Sequence, residues 1–181
     1  MSTIYLDNAA TTKVREEVVS VISSIIKNEY GNPSSTHSYG RSSKSLIESS
    51  RKEIADILNV KSSEIIFTSG GTEGDNMIIR NCVNNLGVSH IITTKIEHHA
   101  VTHTIDDLIR SNNINVSYVK VSKSGHVDLN DLEEILKRSD EKSLVSLMHI
   151  NNEIGNITDI QLVSEICQKY DSLFHSDTVQ S

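Results

Sequence analysis

The sequence predicts an α/β fold, with a mostly parallel sheet between two layers of helices. Three observations carry that prediction. Short β-rich runs alternate with helical stretches from about Glu64 onward. The runs are apolar almost throughout, as in strands covered on both faces. Polar turn segments with Gly, Asn or Asp separate the elements. At 181 residues the chain is long enough to bury a substantial core.

Each element has its own justification. "VREEVVSVISSIIKN" spaces Val14, Val18, Val21, Ile22, Ile25 and Ile26 along one helical face. "YGNPSSTHSYG" carries the single proline, Pro33, and reads as a loop. "RSSKSLIESSRKEIADILNV" is a second helix with Leu46, Ile47, Ile54, Ile57 and Leu58 on its expected buried side. "EIIFTSG" reads as the first strand. "TEGDNMIIRNCVNNL" follows as a helix, with Thr72 as the expected N-cap and Asp75 completing something like a capping box. "HIITTKI", "NVSYVKV", "SLVSLMHI" and "SLFHSD" read as further strands. The helices between them are "HAVTHTIDDLIRSN", "DLNDLEEILKRS", opened by Asp128 or Asn130, and "DIQLVSEICQKY".

Composition narrows the function. With 36% hydrophobic and 23% charged residues the chain reads as globular, and a net charge of −7 argues against a nucleic-acid partner. No apolar run is long enough to span a bilayer, and "MSTIYLDNAATT" is too polar for a secretion signal. Cys82 and Cys167 are far apart in sequence, which fits a reducing compartment, here the cytoplasm, better than a disulfide framework.

Ligands in such sheets bind beyond the carboxyl ends of the strands. That rule selects four stretches. In "FTSGGTEGDN", Gly70 and Gly71 permit a tight turn and close approach of a ligand, and the helix start offers N–H groups to an anion; a simple capped helix start explains the same residues. In "KIEHHAVTH", His99 and His103 stand at i, i+4, a zinc-like spacing without HExxH or a third ligand. Surface or capping roles suit those two residues better, while His98 at the strand end could lie against a planar ring. In "MHINNEIGNI", Asn side chains that both donate and accept suit a mixed polar ligand, or an Asx turn. In "FHSDTVQS", Asp177 closes an apolar strand; unpaired burial would be costly, so a cationic partner or a helix cap is expected.

Together "YLDNAATT", "GNPSSTHSYG", "FTSGGTEGDN", "IEHHAV", "MHINNEIG" and "HSDTVQS" resemble the cysteine desulfurases of the IscS/NifS type, within the class V aminotransferase group of pyridoxal 5'-phosphate (PLP) enzymes. The resemblance runs from end to end of the chain. It implies the large domain of the fold type I PLP transferases, a three-layer α/β/α sandwich that is incomplete here. Residues 1–15 would associate with the family's small domain and residues 16–181 would form part of the PLP-binding large domain. By the same resemblance, Gly71 and Thr72 would hold the cofactor phosphate. His98 would stack on the ring and take part in proton transfers, Asn152 would lie near the ring hydroxyl and the substrate carboxylate, Asp177 would pair with the pyridine nitrogen, and Gln180 would bond the ring oxygen. The substrate would be L-cysteine, the assembly a homodimer, and the sulfur acceptor a protein such as an iron–sulfur scaffold, or a tRNA thiolation pathway.

Part of the family pattern is missing. The Ser/His/Lys motif that supplies the Schiff-base lysine does not occur in these residues, and neither Cys82 nor Cys167 matches the persulfide-forming cysteine. Lys95, just before His98, reads as a surface residue. The resemblance implies seven strands, of which five are readable, the missing two normally lying between "EIIFT" and the rest. The chain alone is therefore expected to be inactive, as the N-terminal part of a desulfurase. The alternatives are one half of a split enzyme, a non-catalytic relative, or a related enzyme such as a selenocysteine lyase.

Overall fold

Alternating side chains of two central strands build both halves of the core. In this computed structural model, which describes residues 3–112 and 114–181, β1 (His90–Thr93), β2 (Asn115–Tyr118), β3 (Ser143–Ser146) and β4 (Leu173–His175) form one parallel sheet in the order β2-β1-β3-β4. Ile91 pairs with Val116 on one side and Leu144 on the other, and Leu144 pairs with Leu173. Ile91 and Leu144 point into a cluster with Ile79, Val101, Ile105 and Leu108; Ile92 and Val145 point into another with Leu132, Leu136, Leu147 and Val163. Successive strand residues face opposite ways, so a continuous apolar run serves two helical layers. Each fully buried Ile or Leu contributes about 1.5–3 kcal/mol relative to exposure.

The helices fall where the periodicity puts them: α1 (Glu16–Asn28), α2 (Ser38–Leu58), α3 (Gly71–Leu86), α4 (His99–Asn112), α5 (Leu129–Lys137) and α6 (Ile160–Lys169). Asp128 is the residue that caps α5, accepting the Asn130 and Asp131 amides at 3.1 and 3.2 Å. Asp159 caps α6 through the Leu162 amide at 3.0 Å. Gly87 ends α3 in the left-handed conformation, at φ 74°.

The described residues divide into two compact units, one ending at Phe67 and the other running Thr68–Ser181. The expected first strand is a correction. Residues 65–68 follow a 3-10 turn (Ser62–Glu64) and pair with no strand among the described residues. The reason is physical: a strand exists through its neighbours, and no described strand pairs with this one. An arginine takes up the slack, since Arg51 donates to the Ile65 carbonyl at 2.5 Å and lies 4.7 Å from the Phe67 ring centroid. Ile66 and Phe67 stay exposed. No α1 residue is buried, and Val18, Val21, Ile22 and Ile26 are exposed. The expected buried side of α2 is a second correction: only Gly40, Ser43 and Ala55 are buried there, and Leu46, Ile47, Ile54, Ile57 and Leu58 lie at the surface.

Candidate functional site

The chain steps outward from β1 to β2, then from β3 to β4 in the opposite direction. Helices therefore leave the two central strands on opposite faces, and a crevice opens beyond their carboxyl ends. A cavity of about 240 Å³ lies there, lined by Lys95, Glu97, His98, Asn151 and Asn152 among others. A second, of about 260 Å³, is lined by Thr72, Asn76, Arg80, His98 and His103 among others. His98 and His99 line both, so the start of α4 adjoins the Thr72 and the Asn152 segments. The His98 Nδ1 accepts the Ala100 amide at 3.1 Å, at the start of α4. A neutral ring held this way carries its proton on Nε2.

The two asparagines after β3 divide their work. Asn151 is buried, donates to the Ile96 carbonyl at 2.8 Å, and accepts the Glu153 and Ile154 amides at 2.9 and 3.1 Å. That is the Asx turn. Asn152 is half-buried, donates to the Glu153 carboxylate at 3.1 Å, and lines the cavity.

Asp177 is 8% exposed. Its Oδ1 accepts the Val179 amide at 3.0 Å, and its backbone carbonyl accepts the His149 amide at 2.9 Å. Among the described residues it enters no ion pair; the nearby buried pair is instead His175 Nε2 with Asp75 Oδ1, at 3.3 Å. A buried carboxylate without a cation is costly, and a protonated ring nitrogen would supply the missing charge. Gln180 is half-buried in the turn that follows. Gly71 belongs to the same corner, because a Cβ there would stand 2.5 Å from Val179 Cγ2. Its need for glycine is this close approach. Gly70 is extended, with nothing near its missing side chain.

Two expectations at α3 are corrected. Gly70, not Thr72, is the N-cap, and Thr72 lies exposed within the first turn. The backward bond comes from Glu73, which accepts the Ser69 amide at 2.5 Å; that bond holds its carboxyl below the usual range. Asp75 instead pairs with His175, whose Nδ1 bonds Ser146 Oγ at 2.9 Å, and Asp75 Oδ2 has no hydrogen-bond partner among the described residues. His99 and His103 stack with centroids 4.9 Å apart, and no described cluster of three or more His, Cys, Asp or Glu could hold a metal. Lys95 is exposed, with Nζ 5.5 Å from the Tyr118 ring centroid.

Sequence reasoning missed Glu97. It is 8% exposed, and burial raises its carboxyl to about 7 against the bonds from Thr94 and Met148 that lower it; negative Asp177 and Asp75 add to the rise. The available signal was a carboxylate sitting where an apolar strand runs into His98.

The class V aminotransferase pattern matches residues 4–181, and the chain belongs to this family of PLP-dependent enzymes. Its relatives lie in the cysteine desulfurase branch. It is 44% identical over 183 residues to the cysteine desulfurase IscS of Dictyoglomus turgidum, covering 98% of this chain and 45% of that protein. A solved NifS-like protein superposes with a TM-score of 0.91 at 38% identity, over 98% of this chain and 49% of that one. The structure of SspA in complex with cysteine gives 0.90 at 31% identity, over 99% and 51%. The chain spans about half the length of the relatives it matches. Its four-stranded sheet is an incomplete form of their α/β fold. No helix among the described residues is long and apolar enough to cross a membrane.

Proposed function

We propose that this chain supplies the cofactor-holding part of a PLP-dependent cysteine desulfurase site, with L-cysteine as substrate. The observation that carries the reading is Asp177, a buried acid that enters no ion pair among the described residues, at the corner where Val179 closes on Gly71. Its carboxylate would hold the pyridine nitrogen in its protonated form. The Gly71 amide and the Thr72 hydroxyl would bind the phosphate, aided by the positive end of α3. His98 would cover the ring and move protons at Nε2. Asn152 would orient the ring hydroxyl and the substrate carboxylate, and Gln180 would bond the ring oxygen. PLP, once bound, supplies an electron sink for bonds at the substrate α-carbon.

The sulfur step needs an activated thiolate. Burial raises the Cys82 thiol and pushes that of Cys167 up to about 11, so neither serves as nucleophile. No Ser/His/Lys motif occurs in these 181 residues. Turnover is therefore assigned to the site as completed by further protein, and these residues alone would bind PLP without turning over cysteine. Residues 1–15 would belong with a small domain and 16–181 with the large one. The exposed apolar residues of α1 support a packing partner, as in a homodimer. The reading extends to a cytoplasmic setting and a sulfur-accepting scaffold protein.

Absorbance titration of the chain with PLP tests the reading. Saturable binding that weakens at least tenfold in Asp177→Ala, with no single lysine fixed by borohydride, is expected. Equal binding by both proteins would refute the role of Asp177, and one stoichiometrically trapped lysine would refute the missing anchor.

A further inference from the structure

Glu97 is a buried acid of the site that the proposed function leaves without a role. It lies between Thr94, past the end of β1, and His98, at the start of α4. Its Oε1 accepts the Thr94 hydroxyl at 2.8 Å, and its Oε2 accepts the Met148 amide at 2.9 Å, beyond β3. A second tie runs beside the first, from Asn151 to the Ile96 carbonyl. Thus the turn that carries His98 is fastened to the loop that carries Asn152, and one of the two fastenings is a carboxylate.

The charged surroundings are acidic. Asp177 beyond β4 and Asp75 on α3 act on Glu97 through their negative charge. The ionisable group set among them is His175 of β4, paired with Asp75, while His98 follows Glu97 directly in the chain. All three carboxylates are less than a tenth exposed, Glu97 and Asp177 at 8% and Asp75 at 5%. Like charges buried together oppose one another's ionisation.

We propose that Glu97 is a positioning residue that fastens the His98 turn to the Asn152 loop and carries a proton that leaves when a cation pairs with Asp177. The inference rests on the reading of Asp177 as the partner of a protonated ring. Either charge state keeps the fastening. The anion accepts both bonds; the acid accepts the Met148 amide through its carbonyl oxygen and donates its proton to the Thr94 hydroxyl. What changes is the charge that acts on Asp177. Neutralising Asp177 lowers the cost of ionising Glu97, and by reciprocity an ionised Glu97 favours a cation at Asp177. Glu97 sits close to neutral pH in the chain without ligand, since burial holds it near 7.

Carboxyl carbon NMR of the 181-residue chain reads the proton directly. One glutamate titrating near neutral pH, and absent from Glu97→Gln, is expected. Its midpoint should move to lower pH in Asp177→Asn, and likewise in wild type on saturation with PLP. The reciprocal effect is in affinity: the ratio of the PLP dissociation constant of Glu97→Gln to that of wild type should rise about fivefold between about pH 6 and pH 8. If Glu97→Gln does not fold, Thr94→Val removes a bond that favours the anion and should move the midpoint upward. A midpoint unmoved by Asp177→Asn, or a ratio flat across that range, overturns the proposal. Failure of wild type to bind PLP would instead overturn the cofactor reading, and the Asp177→Asn comparison would then decide the coupling alone.

Discussion

Stability against pH follows from Glu97 with a definite sign. The perturbation is Glu97→Gln, which keeps the shape and removes the proton. In the folded chain burial raises this carboxyl from its ordinary 4.5 to about 7. Between those two values the unfolded chain has released the proton and the folded chain still holds it. Folded protein then binds more protons, so stability falls as pH rises through the window and levels off above it. Each pH unit is worth about 1.4 kcal/mol, which puts the whole loss at about 3 kcal/mol. Glutamine cannot titrate and escapes the loss. The chain has no tryptophan, so urea unfolding is best followed by far-UV circular dichroism. Wild type and variant should match near pH 4.5, and the variant should lead by about 3 kcal/mol at pH 8. Carboxyl groups remote from Glu97 titrate equally in both proteins and cancel in the difference; Asp177 and Asp75, which act on Glu97 through their charge, carry their coupling into it. A gap that stays constant, or one that narrows with rising pH, would refute the reasoning.

Three further outcomes can be measured. Gly71→Ala places a Cβ 2.5 Å from Val179 Cγ2; the turn after Asp177 must yield, and PLP affinity in an absorbance titration should drop about tenfold, the lower part of the usual overpacking range. Adding Val179→Ala should restore most of it. Leu132 is fully buried between α5 and the sheet; Leu132→Ala should lower unfolding stability by about 2–5 kcal/mol while the folded variant binds PLP as before. Asp128→Ala removes the α5 cap and should cost about 1 kcal/mol in the same unfolding assay.

Much of the sheet-bearing unit was legible because its signals are local. The strands from Ile91 to Phe174 announce themselves by apolar runs, and Asp128, with Asn130 as the alternative, by its place before a helix; Asp159 as the cap of α6 is seen only in the structure. What failed depended on distant partners. "EIIFT" has the composition of a strand, yet no described strand pairs with it. The apolar face of α1 is equally regular, yet none of its described residues is buried. At the site, Asp177 and His98 could be picked out because polar groups closing apolar strands are conspicuous. Asp75 could not, because its partner His175 is separated from it by most of the unit. The sequence also offered no means of seeing that Glu73 would reach back to Ser69 and leave Thr72 uncommitted. Asn151 and Asn152 look alike in sequence; only the turn geometry makes one a structural part and the other a cavity wall.

The most direct measurement is the NMR shift of an isotope-labelled ring nitrogen in PLP bound to this chain. A protonated nitrogen in wild type, retained at a pH where free PLP has lost that proton and lost again in Asp177→Ala, is the predicted result. A bound ring whose nitrogen titrates as it does in free PLP, whether or not the acid is present, would contradict the account.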